Sequence, residues 1–421
     1  MPYDHAKRPA SVTAVLAAIL LTSACTGGTP SPVVGTAVAQ ALKRATPVAP
    51  QIVTADNTFG LALLNALNRG ATSNVAISPT SIALALQMVY DGAEGSTRQG
   101  MTRALQLQGL GALAVDELNA ALQAALINPD PKAQLRMANS LWMHLRENSV
   151  LPSFASTNEN YYAAKIGDLS GAPDDVNAWV ARETEGLIKK ILPPRDYSRV
   201  AAVLANTIYF RGAWTSVFNP KLTMAAPFTL SDGSEVSCRM MKMNRPGRFS
   251  YLSVPDFQAV ELPYGSTRRL RMLIILPAVG VNLSSFVSNM TSEELRTWIA
   301  DLEPAEVSIG LPRFTTTYAS SLVDALTSLG MGAAFSRANA DFAGLVSRGG
   351  FYISDVEHEA VVRVDERGTV AAGATAAQLE LEAIGPPSVS MTMNRPFFYA
   401  IVDGKTGALL FIGTLVDPTP S

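Results

Sequence analysis

From about residue 51 onward, the apolar positions of this chain fall alternately into helical and strand periods. Phe59, Leu63, Leu64 and Leu67 recur at the spacing of one helix face, with Asp56 or Asn57 as the expected cap and Asn68-Arg69-Gly70 as the stop. A short strand follows at 75–77. Ser78 then caps a helix whose first turn holds Pro79, where a missing N–H is no loss. That helix is apolar nearly all round, through Ile82, Leu84, Leu86, Met88 and Val89, and is expected to be central and buried. Gly92 to Gly95 turns the chain, Thr97 is the expected cap of the next helix, and 111–131 predicts one more, ended by proline. A strand is expected at 135–143, helices at 152–162 and 174–191, and a long apolar strand at 200–210. Residues 224–276 read as several strands, with turns at Asp232-Gly233, Pro246-Gly247 and Tyr264-Gly265. Helices at 292–302 and 321–330 and strands at 306–314, 351–364, 389–401 and 408–416 complete the pattern, with a hairpin at 403–407. There is no internal repeat. Helices mixed with runs of strands predict one α+β domain over 51–421.

The first fifty residues follow a different rule. Lys7 and Arg8 precede a mostly apolar run from Ala10 to Ala24, too short to span a bilayer comfortably, so 1–24 reads as an export signal. Its end, Leu21-Thr22-Ser23-Ala24-Cys25, is similar to the lipobox of bacterial lipoproteins, with Thr22 where leucine is commoner. That resemblance implies lipidation of Cys25. An ordinary secretory signal ending near Ala24 is the other reading, and a Cys25–Cys238 disulfide a third. Residues 25–50, rich in Gly, Pro, Thr and Ser at their start and punctuated by Pro47 and Pro50, read as a tether. The expected location is extracytoplasmic, secreted or lipid-anchored.

Composition narrows the function classes. With 48% hydrophobic and 16% charged residues the chain can fill a large core. A net charge of −2 gives no bulk attraction to nucleic acid. Two cysteines and three histidines, His5, His144 and His358, offer neither a disulfide framework nor ligand spacing for a metal, and no cofactor motif is present. A hydrolase would need a nucleophile beside a base, and neither a G-x-S-x-G elbow nor an S-x-x-K motif occurs. His358 reads as a hydrogen-bonded core histidine, and Trp214 by itself as ordinary aromatic packing.

The stretch 361–382, VVRVDERGTVAAGATAAQLELE, changes character half-way. Val361, Val362 and Val364 suit a buried strand. After Gly368 the residues are small and nearly uncharged. A period of two puts Thr369, Ala371, Gly373, Thr375, Ala377 and Leu379 on one face, which can lie over a packed core without overpacking it. Taken alone, the same run also fits an alanine-rich helix or a loop.

The neighbours of that run carry a resemblance. EHEAVVRVDERGTVAAGAT is similar to the hinge and reactive loop of serpins, the serine protease inhibitors. NRPFFYAIVDGKTGALLFIGTLVDP resembles the family's C-terminal signature, and NVAISPTSIALALQMVYDGAEGST and LANTIYFRGAWTSVF resemble two further blocks, all in the family's order over roughly residues 74 to 418. The resemblance implies the serpin fold, with a large central sheet, smaller sheets, about eight or nine helices and an exposed reactive loop near 366–390. It implies no catalyst but a monomeric inhibitor of serine, or cysteine, endopeptidases. The loop is bait, the protease is held as an acyl-enzyme, and the cut loop inserts into the central sheet. By the resemblance the hinge is Glu366, Arg367, Gly368, Thr369, Val370, Ala371, Ala372, Gly373, Ala374 and Thr375. Val370 stands where glutamate is commoner in inhibitory members, but on the outward face. Ser78, Ser81, Asn206 and His358 match a polar cluster under the sheet, and Trp214 a tryptophan where the loop enters. The family's usual spacing puts the reactive bond at Glu382–Ala383, with Leu381 and Ile384 as neighbouring alternatives. The expected partner is the target endopeptidase, covalently bound, with no nucleic acid and with membrane contact only through Cys25. Residues 111–131 carry no Lys or Arg, which argues against a heparin site of the kind some serpins place there. The competing expectations are a non-inhibitory serpin acting as a binder or chaperone and a lipid-anchored hydrolase.

Overall fold

The computed structural model describes residues 34–127, 129–147, 149–348, 350–369 and 389–419. The expected signal at 1–24, Cys25, the hinge residues Val370, Ala371, Ala372, Gly373, Ala374 and Thr375, and the bond at Glu382–Ala383 with its neighbours Leu381 and Ile384 lie outside the described residues. Among those described, no helix is long and apolar enough to cross a membrane.

Helices α1 (Thr36–Arg44) and α2 (Pro50–Asn68) lead to strand β1 (Val75–Ile77), then α3 (Pro79–Tyr90), α4 (Gly95–Ala104) and α5 (Ala112–Leu126). Strand β2 (Ala133–Met143), helix α6 (Pro152–Thr157), strand β3 (Lys165–Asp168) and helix α7 (Asp174–Glu183) follow. Strand β4 (Ala202–Ala213) opens a run of strands: β5 (Met224–Thr229), β6 (Glu235–Lys242), β7 (Gly247–Val254), β8 (Phe257–Pro263) and β9 (Leu270–Pro277). After α8 (Leu283–Asn289) and α9 (Ser292–Ala300) come β10 (Glu303–Pro312), β11 (Phe314–Ser321) and α10 (Val323–Leu326). The chain ends in β12 (Asp355–Asp365), β13 (Gly368–Thr369), β14 (Val389–Thr392), β15 (Phe397–Asp403) and β16 (Leu409–Leu415).

Two sheets result. One runs β1-β16-β15-β9-β8-β7-β10-β6-β5, with β14 added beside β10. The other runs β11-β12-β13-β4-β2-β3, and β12 also pairs directly with β4. Helix α3 packs against β2 and β4 of one sheet and β16 of the other. Its all-round apolar pattern is explained by this position, since every residue of the helix is buried. Each large side chain so buried stabilises by roughly 1.5–3 kcal/mol. The expected start is also as observed: the Ser78 hydroxyl accepts from the Ser81 N–H, and Pro79 sits in the first turn.

Several expected boundaries are corrected. Asp56 caps nothing; it lies inside α2, and its buried carboxyl accepts from Gln87 Nε2 at 2.9 Å. Thr97 lies inside α4, and its hydroxyl accepts the Asp341 N–H at 2.9 Å. Part of the expected tether, 36–44, is helix α1, whose Val38 is buried against Ala120 and Ala124 of α5. The helix expected at 174–191 stops at Glu183, because Glu185 (φ 53°) and Gly186 (φ 77°) turn left-handed. Asn177 Oδ1 then takes the N–H groups of Ile191 and Leu192 at 2.8 and 2.9 Å, folding the chain back along α7. The helix expected at 111–131 ends at Leu126, and the one expected at 321–330 begins only at Val323, Ser321 being the end of β11.

Candidate functional site

The seam between β12 and β4 is where the predicted site residues meet. These strands pair in parallel from Asp355 to Ala360 against Val203 to Ile208, which sets His358 opposite Asn206. On its other side Asn206 stands opposite Asn139 of β2. His358 Nδ1 donates to Asn206 Oδ1 at 2.7 Å, so the imidazole carries its proton on Nδ1. Asn206 Nδ2 faces Ser81 Oγ at 2.7 Å, Ser81 O at 2.8 Å and Asn139 Oδ1 at 2.6 Å, sharing two hydrogens among three acceptors. Ser78 joins through its bond from the Ser81 N–H at 3.2 Å. Ser78, Ser81, Asn206 and His358 have no exposed surface. Burial pushes the His358 imidazole down to about 3, so it stays neutral near pH 7. Ser81 Oγ turns toward Thr207 O and Asn206, and His358 toward an amide oxygen. This is the geometry of a clamp across three strands and a helix, not of a nucleophile activated by a base.

Beyond Ala360 and Ile208 the two strands part. The chain turns at Glu366-Arg367 and returns as β13, which fills the start of the gap. Thr369 pairs with Val364 on one side and Gly212 on the other, and Gly368 with Asp365 and Ala213. Trp214 holds the turn from above: its Nε1 donates to Asp365 O at 2.9 Å and its backbone N–H to Arg367 O at 2.8 Å. Its ring stacks on Tyr264, with centroids 4.3 Å apart. The Tyr264 hydroxyl is in turn 2.6 Å from Thr369 Oγ1. Glu366 is fastened by Arg313 Nη2 at 2.6 and 2.7 Å and by the Thr223 hydroxyl at 2.7 Å. Burial raises its pKa, but these hydrogen bonds outweigh burial and hold the carboxyl below its usual range.

Gly368 is required where it stands. Its φ is 150°, and an added Cβ would lie 2.0 Å from Gly212 O. Gly368→Ala is therefore expected to unseat β13 at a cost of about 1–3 kcal/mol. Hydrogen–deuterium exchange over 211–214 and 366–369 should show the loss of protection; unchanged exchange would mean that the backbone accommodates a methyl group here.

Relatives point the same way. The family described as Serpin (serine protease inhibitor) matches residues 54–418. The chain belongs to the serpin family. A leukocyte elastase inhibitor of Equus caballus is 31% identical over 384 residues, covering 87% of this chain and 100% of that protein. Serpin B6 of Bos taurus is 34% identical over 375 residues, covering 86% of this chain and 98% of its own length. Among solved structures, the thermophilic serpin tengpin in its native state superposes with a TM-score of 0.81 at 27% identity, over 88% of this chain and 95% of that one. Members of the family are mostly protease inhibitors rather than catalysts. The ten-stranded sheet, the six-stranded sheet and ten α-helices among the described residues are this serpin's version of the expected fold.

Of the expected site residues, Ser78, Ser81, Asn206 and His358 come together in the seam, and Trp214 bonds the turn at its open end through Asp365 O and Arg367 O, next to β13 with Gly368 and Thr369. Sequence reasoning missed Asn139, Tyr264, Thr223 and Arg313. Asn139 had only a weak signal, a carboxamide shortly before the apolar end of β2, a strand that also carries Gln134, Arg136 and Ser140.

Proposed function

We propose that this serpin inhibits serine endopeptidases as a suicide substrate, by inserting its cut reactive loop between β12 and β4. The observation that carries the reading is β13: Gly368 and Thr369 of the hinge already lie between the strands that the rest would separate. The sequence beyond them is uncharged on the inward face, with Leu379 its one large residue. Each added backbone hydrogen bond nets about 0.5–1.5 kcal/mol, so a strand paired on both edges gains on the order of 10 kcal/mol. That gain supports trapping of an acyl-enzyme before water releases it. Within the reading, Glu382–Ala383 is the reactive bond, and Glu382 favours an enzyme with a basic specificity pocket. We assign the molecule to the outer side of a cell membrane, held through Cys25. Mass spectrometry of the mature N-terminus tests that placement, an unmodified or internal Cys25 counting against the anchor.

The decisive test is incubation with a panel of serine and cysteine endopeptidases. An SDS-stable complex is expected, with release of a C-terminal fragment that begins at Ala383 or a neighbouring residue. Cleavage without a complex at any enzyme ratio would point instead to a non-inhibitory, binding serpin.

A further inference from the structure

Strand β12 shows alternate residues to opposite faces. His358, Ala360, Val362 and Val364 take one side. Asp355, Glu357, Glu359 and Val361 take the other, which α7 and the segment returning from it cover. Val361 belongs there to one buried apolar cluster with Val176, Trp179 and Val180 of α7, Tyr197 of the return segment, and Val203 and Ala205 of β4. Three carboxyls thus lie beneath a lid, with Asp355, Glu357 and Glu359 only 8, 9 and 8% exposed. Asp355 has a cation, Arg195, whose Nη2 is 2.9 Å away, and a hydroxyl from Ser321 of β11. Among the described residues Glu359 has none, and its buried Oε2 is without a hydrogen-bond partner. Across β4 the register partners of Glu357 and Glu359 are Ala205 and Thr207; across β11 they are Ser321 and Ala319, all uncharged. The ionisable groups facing Glu357 are Asp355 on its own strand and Arg195 and Tyr197 from the return segment. Lys189 and Lys190 of that segment are exposed to solvent.

We propose that Glu357 and Glu359 act as a proton-operated brake on the parting of β12 from β4. Protonated, they seat beneath α7 and leave the seam shut. Ionised, they require water, which reaches them when the seam parts and the lid lifts. The proposal rests on the reading that this seam admits a further strand.

The sign of the effect follows from where protons bind. Burial pushes Glu357 up to about 8, Asp355 adding to the rise and Arg195 opposing it. Burial alone pushes Glu359 up to about 7. In the parted state both return toward the ordinary carboxylate range. The closed state therefore holds the protons more tightly, its advantage is complete below that range, and it is lost as pH climbs through 7 to 8. Inside the window each proton released multiplies the opening constant about tenfold per pH unit. His358, held near 3, does not titrate there. Asp56 of α2 and Asp116 of α5, raised by burial to about 8 and about 7, share the window but lie on helices away from the seam.

The test uses the full chain and a synthetic peptide with the sequence of residues 369–379. Its rate of annealing into the intact protein is followed between about pH 5.5 and 8.5. The wild-type rate is expected to rise at least about tenfold across that range, and Glu357→Gln with Glu359→Gln to leave it slow and nearly flat. A flat wild-type profile, or a rise that survives both substitutions, overturns the brake. If the glutamine variants do not fold, an indicator dye decides: about one to two protons released per peptide annealed near pH 6 supports the brake, and none overturns it. Failure to anneal at any pH would overturn the insertion reading itself.

Discussion

If the proposed insertion holds, Thr369→Arg is expected to turn an inhibitor into a substrate. Thr369 is 1% exposed and lies between Val364 and Gly212, with its hydroxyl on Tyr264. An arginine there must either enter the seam, burying an unpaired charge at a cost of several kcal/mol, or keep the hinge out. The surrounding shelf is closed, since even a Cβ on Gly212 would meet Tyr264 Cδ1 at 2.9 Å. A rise of about 3 kcal/mol in the insertion barrier slows insertion roughly a hundredfold. Deacylation then wins, and the loop is cut without capture. The measure is the ratio of SDS-stable complex to cleaved protein for the best protease of the panel. An undiminished yield of complex would count against insertion at this seam.

Asn206→Ala is expected to be the most damaging single change in the clamp. The amide reaches four partners: His358, the Ser81 side chain, the Ser81 backbone and Asn139. Truncation leaves a buried imidazole N–H, a carbonyl, a hydroxyl and an amide oxygen short of a bond, with no exposed surface at Asn206 through which water could replace it. At about 1–3 kcal/mol for each strongly affected group, a loss of about 3–5 kcal/mol is expected. The urea midpoint of unfolding reports it. A loss under about 1 kcal/mol would show that the strands are held by their backbone pairing alone.

Helix α3, its Ser78 cap and the last hairpin were legible because local pattern determines them. The seam was legible only through resemblance, because the contacts that define it join distant residues. Asn139 meets Asn206 only once the register of β2 on β4 is known. Arg313 reaches Glu366 across 53 residues. Tyr264 read as part of a turn, and nothing in Tyr264-Gly265 reveals that its ring lies under Trp214. Helix α1 was hidden by the Gly- and Pro-rich residues on both sides of it, and by an apolar face that gains meaning only against α5. The break at Glu185-Gly186 was missed because the apolar period runs on through Leu187 and Ile188, which instead belong to the returning segment.

Chain direction at the seam has a further consequence. In the six-stranded sheet β11 opposes β12 and β2 opposes β4, while β12 and β4 run the same way at the centre. Same-way neighbours bond at a slant and hold slightly less well per residue. A chain arriving head-down between them, as β13 does, replaces that one mismatched join by two opposed ones. β2 and β3 also run the same way, but at the edge of the sheet, so among its described strands β12–β4 is the interior join at which backbone polarity alone, before any side chain is considered, favours an entering strand.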